Sequence, residues 1–150
     1  MKRWERWSFG LLSLIVAASG FAYFWMKYLL DDGDPFALVN HPWQSTMLHV
    51  HVLASPPLIL LFGILLNSHI MKKLRVPVEA NRRSGLASLI TFGAMVVSGY
   101  LLQVATNEPL LRTLVAVHVA SGIVFSAAYA AHLAISVRLA RSWARIREVA

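Results

Sequence analysis

The chain has 150 residues, 57% of them hydrophobic and only 14% charged, a balance far from the soluble norm that puts a membrane class first. It holds no cysteine, which excludes disulfides, thiolate-held iron–sulfur clusters and the C-x-x-C-H attachment of c-type haem. The formal charge of +7 falls in separate blocks flanking apolar stretches, so topology and anionic lipid account for it and nucleic acid is not an expected partner.

Four apolar stretches, about 8–30, 46–70, 85–104 and 110–137, reach or approach the roughly 20 residues that a helix needs to cross a bilayer. The first follows Lys2 and Arg3 as a signal peptide would. Its apolar run is too long for one, however, and "FAYFW" stands where small residues should mark cleavage, so a retained anchor is expected. "DDGDPFALVNHPWQS" reads as an ordered loop after it, with Phe36 and Trp43 at the interface. "KKLRVPVEANRRS" links the second and third spans, and "ATNEP" is a tight turn before the fourth. The tail "RLARSWARIREVA" continues helically with arginine on one side, as a segment lying along a membrane surface does. No internal repeat or low-complexity segment stands out.

A backbone in lipid must satisfy its own hydrogen bonds, and the spans are too long for barrel strands, so the predicted fold is all-α: one domain, a transmembrane four-helix bundle. Twelve of the fourteen Lys and Arg residues lie before span 1, between spans 2 and 3, or after span 4; Lys27 and Arg112 are the exceptions. The positive-inside rule then puts both termini in the cytoplasm, and a bacterial inner membrane is the expected location. Gly10, Ser13, Ala17, Gly20, Gly93, Ser98, Gly99, Ser121 and Gly122 mark expected close approaches of helices or of a flat cofactor.

Five of six histidines fall in spans 2 and 4: His49, His51 and His69, then His118 and His132. A buried ionisable group in a membrane is costly and reads as functional. At about 100° per residue His51 and His69 share one face, and His118 and His132 lie about 40° apart on another. Each helix thus presents one imidazole high and one low, about 27 Å apart in span 2 if straight and about 21 Å in span 4. Pro56 and Pro57 lie between His51 and His69, and their kinking tendency makes the span 2 values provisional. Spans 2 and 4 run the same way, so the pairs match in depth within about one turn. Two facing imidazoles at each of two depths are what two low-spin haems need as axial ligands. A zinc site fits less well, since its ligands should converge at one point.

Two helices with two histidines each, four spans and basic inner loops resemble the cytochrome b561-like membrane cytochromes, di-haem cytochromes b that exchange electrons with quinones. The resemblance covers the whole chain as architecture and rests on histidine placement. It implies two haem b groups, with His51 and His118 ligating an outer one and His69 and His132 an inner one. His49 is the alternative outer ligand. Propionate contacts are expected from Lys27 and Arg112 outside and from Arg82 and Arg83 inside. His41, with Asp34 and Gln103, is the candidate quinone site, where an imidazole accepts a proton from quinol. The function implied is that of an electron-transfer subunit of a quinol-linked oxidoreductase, partnered by lipid, quinone and a separate redox subunit. The alternatives are a non-redox membrane scaffold or assembly subunit, and a proton or metal-ion transporter. A relay would want carboxylates at mid-membrane, and none of the four spans contains Asp or Glu.

Overall fold

The computed structural model describes the backbone of residues 2–30, 39–71 and 82–149, with the side chains along it except those of 68, 69, 82, 140, 143, 144 and 146–149. Four α-helices form this part of the chain: α1, Arg3–Phe24; α2, Gln44–Leu65; α3, Arg82–Val104; and α4, Glu108–Val149. Each is long and apolar enough to cross a membrane, and between 11% and 28% of each apolar stretch is buried against protein. Exposed tryptophans stand near both ends of α1, Trp4 and Trp7 at one and Trp25 just past the other. The eighteen residues from Trp7 to Trp25 span about 27 Å of helix, close to the roughly 30 Å of a hydrocarbon core, and aromatic belts have that spacing.

The helices start two to five residues before the predicted spans, and α4 runs on past the end of its span to Val149. Helix α1 begins at Arg3 because its polar first turn is helix-competent even though it is not apolar: Glu5, buried in the first turn, accepts the Lys2 backbone N–H at 2.8 Å. A carboxylate there also complements the positive end of the helix dipole. Helix α4 runs unbroken for 42 residues through the arginine-bearing tail. Helix α2 is continuous through Pro56 and Pro57, and Ser55 turns its hydroxyl back onto the His51 carbonyl at 2.6 Å. Helices α1 and α2 each end in one wide i→i+5 turn, Trp25–Leu29 and Leu66–Ile70. His69 lies in the second of these turns, so a phase counted at 100° per residue from His51 does not carry through to it.

The chain divides into two compact units, Met1–Val76 and Pro77–Ala150, each built on one pair of helices. In the first, α1 packs antiparallel on α2. Phe9 meets Phe62 with ring centroids 6.2 Å apart, and eleven residues further along α1 Gly20 meets His51. Val16, Leu58 and Leu65 are buried along this seam. The end of α1 is tied to the start of α2 by the loop between them. The Asn40 side-chain amide donates to the carbonyls of Lys27 (3.2 Å) and Leu30 (2.8 Å), and the buried Gln44 side chain accepts the Asn40 backbone N–H at 3.2 Å. Those carbonyls lie where a helix runs out of internal donors, so Asn40 serves as a remote cap.

The second unit is the same construction from α3 and α4. Phe92 and Phe125 pack at 5.3 Å, and Phe125 stacks on Tyr129 at 5.8 Å. The register is constant along the pair: Gly99 meets His118, Met95 meets Gly122 and Gly85 meets His132. Gly85 and Gly99 are fourteen residues apart, as are His118 and His132.

Candidate functional site

Three of the four predicted ligands have described side chains, and each is half-buried against a Ser-Gly pair on the neighbouring helix of its own unit. His51 of α2 lies against Ser19-Gly20 of α1. His118 and His132 of α4 lie against Ser98-Gly99 and Ser84-Gly85 of α3. His118 and His132 therefore share a face of α4, and it is turned towards α3, whereas the expectation was a face turned towards the histidines of span 2.

Two of these seats are built alike. The Nδ1 of His51 lies 2.9 Å from the Val16 carbonyl oxygen, and that of His118 lies 3.0 Å from the Met95 carbonyl oxygen. In both cases the carbonyl stands four residues before the glycine. A carbonyl only accepts, so Nδ1 carries a hydrogen; in a neutral imidazole that leaves the lone pair on Nε2, the form that binds a metal. The serine between carbonyl and glycine is also placed the same way. Ser19 donates to the carbonyls of Ile15 (2.7 Å) and Val16 (3.2 Å), and Ser98 to those of Ala94 (2.7 Å) and Met95 (3.1 Å). Ser98 Oγ lies 3.2 Å from His118 Nδ1 as well. At the third seat Ser84 Oγ lies 3.4 Å from His132 Nδ1.

The other predicted ligands divide. His49 is exposed on α2, whereas His51 is half-buried in its seat, so the geometry favours His51 of the two. The backbone of His69 is in the wide turn after α2, and its side chain lies outside the described residues. Among the described residues no three His, Cys, Asp or Glu side chains come together as a metal-binding group, and each seat holds one histidine. That donor chemistry, one neutral imidazole at a time between apolar helices, fits axial ligation of a porphyrin iron.

The candidate propionate partners are engaged locally. The Lys27 ammonium lies 5.5 Å and 5.4 Å from the ring centroids of Tyr23 and Tyr28, within cation–π range. Arg112 forms an exposed pair with Glu108 at 3.1 Å, one turn away on α4. Arg83 is exposed at the start of α3; the side chain of Arg82 and all of Asp34 lie outside the described residues. Of the proposed quinone residues, His41 is half-buried in the α1–α2 loop and Gln103 is exposed near the end of α3, in the other unit. His41 Nδ1 accepts the Trp43 backbone N–H at 3.1 Å.

Sequence reasoning did not single out the seats, although one signal was present. Four of the eight glycines follow a serine, at 19–20, 84–85, 98–99 and 121–122, and three of these pairs face a histidine. By contrast Gly93, expected at a close approach, is exposed, and a methyl added there would meet nothing within 4 Å.

The chain is thus an all-α protein of two helix pairs with four potential membrane spans and imidazoles seated between helices. No protein-family model, no curated protein and no solved structure matches it.

Proposed function

We propose that this is an integral membrane di-haem b-type cytochrome that carries electrons between a quinone and a separate redox partner. The observation that carries the reading is the pair of like seats in separate units, His51 on Val16 and His118 on Met95, each fixing an imidazole with its lone pair on Nε2. A histidine kept only for packing has no need of the same tautomer twice. In this reading His51 and His118 hold one haem and His69 and His132 the other. When bound, the haems supply the one-electron chemistry, linking quinone and partner across the membrane.

The protein's own contributions follow from its residues. The carbonyl hydrogen bonds orient the imidazoles and raise their donor strength. The apolar helices exclude water and set a low dielectric, which tunes potential. Lys27 and Arg112 are the cations proposed for the propionates of one haem, and Arg82 and Arg83 for those of the other. His41 in the loop between α1 and α2 is the proposed proton acceptor at the quinol site, with Asp34 and Gln103. The distribution of Lys and Arg along the chain supports a reading with both termini in the cytoplasm and the helices in an inner membrane.

The test is substitution at the two α4 histidines. His118→Ala and His132→Ala are each expected to purify with one haem per chain where the parent has two. If both variants keep the parent's full haem content, the assignment fails. A colourless parent from haem-replete cells would favour the scaffold reading.

A further inference from the structure

We infer that Gly20 and Gly99 are positioning residues that set the tautomer and donor strength of His51 and His118, an inference that rests on reading those histidines as iron ligands. In an α-helix the carbonyl of residue i lies beside the Cα of residue i+4, so a ring reaching that carbonyl must pass over the i+4 side chain. Here that position is glycine in both tight seats. A Cβ at position 20 would stand 2.8 Å from Cε1 and 2.9 Å from Nδ1 of His51; one at position 99 would stand 3.0 Å from Cε1 and 3.3 Å from Nδ1 of His118. At position 20 atoms that close cannot coexist and the ring must leave its place; at position 99 the ring must give by a few tenths of an ångström, which lengthens its 3.0 Å bond to the Met95 carbonyl. At Gly85 the same methyl would lie 3.6 Å from Cε1 and Nδ1 of His132, an ordinary contact. At Gly63 and Gly93 it would meet nothing within 4 Å.

The series is graded by distance, not by general glycine chemistry. Glycine to alanine within a helix ordinarily stabilises it, through both propensity and unfolded-state entropy. Loss of function at 20 and 99, with tolerance at 63 and 93, therefore reports on the ring and not on the helix. The Nδ1–H to carbonyl bond raises the electron-donating power of Nε2, and outer-shell partners of this kind change metal affinity by roughly 10–100-fold. A ring pushed off its carbonyl is a weaker donor, holds ferric iron less well, and shifts the midpoint potential upwards.

The experiment is an alanine scan of Gly20, Gly99, Gly85, Gly63 and Gly93 in the full-length protein, reading haem affinity, the potential of each haem, and ring-nitrogen NMR of histidine in haem-free protein. Gly20→Ala and Gly99→Ala are expected to weaken haem binding by roughly 10–100-fold and raise one potential each. Gly85→Ala should have a small effect, and Gly63→Ala and Gly93→Ala none. In haem-free parent protein His51 and His118 are expected in the Nδ1–H form, and finding the Nε2–H form overturns the inference whether or not the variants fold. A haem-loaded parent whose Gly20→Ala and Gly99→Ala variants match Gly63→Ala in affinity and potential also overturns it, while leaving the cytochrome reading intact. A parent that binds no haem, yet loses the Nδ1–H form in Gly99→Ala, sinks the cytochrome reading and leaves the seat standing.

Discussion

Replacing His51 and His49 separately by alanine separates a seated imidazole from an exposed one two residues away. His51→Ala removes the hydrogen bond to the Val16 carbonyl, and interhelical bonds of this type within membranes average about 0.6 kcal/mol with a ceiling near 1.7. The Val16 carbonyl is not orphaned, since Ser19 still donates to it at 3.2 Å, which keeps that cost towards the low end. The missing ring also leaves a void beside Gly20. At about 24 cal/mol per Å³ a residual void of about 50 Å³ costs about 1.2 kcal/mol. His51→Ala is therefore expected to lower stability by about 1–3 kcal/mol, read by denaturant titration in detergent, and to halve the haem absorbance per chain. His49→Ala, at an exposed position, should stay within about 0.5 kcal/mol of the parent and keep both haems. The reverse outcome, haem lost with His49 and kept without His51, would refute the argument from seating.

Two other substitutions probe the frame around the seats. Asn40→Ala deletes both side-chain bonds to the end of α1 and is expected to cost about 1–2 kcal/mol, with faster hydrogen exchange around residues 27–30; unchanged exchange there would show that the loop does not cap the helix. Phe92→Ala opens a cavity beside Phe125 in the α3–α4 seam, and because lipid is as apolar as the seam, mainly the packing part of the usual 3–5 kcal/mol is lost, roughly 1–3. A full aqueous-scale loss in denaturant titration would mean that this seam is packed as in a water-soluble protein.

Hydropathy made the four helices legible, because roughly 20 consecutive apolar residues leave the backbone few alternatives. Their true starts were not, since Arg3 to Trp7 and Glu108 are compatible with helix while being too polar to register as span. The shared face of His118 and His132 followed from helical periodicity alone. The seats did not, because they depend on register between two helices, and no single-helix periodicity shows which glycine falls opposite which ring. Only the recurrence of Ser-Gly hinted at it. The phase of His69 relative to His51 was beyond a count at constant pitch, since five residues ending α2 wind with wider bonds. The bond from the Trp43 amide to His41 Nδ1 was not legible either, since a local turn bond depends on loop conformation.

The measurement that bears most directly on the central claim is the absorption spectrum of the purified chain, oxidised and then reduced, with haem and protein counted on the same sample. The account expects the sharp reduced bands of low-spin, bis-imidazole haem b at two haems per chain. Protein purified from haem-replete cells that is colourless, or that binds haem with one axial imidazole and in the high-spin state, would contradict it.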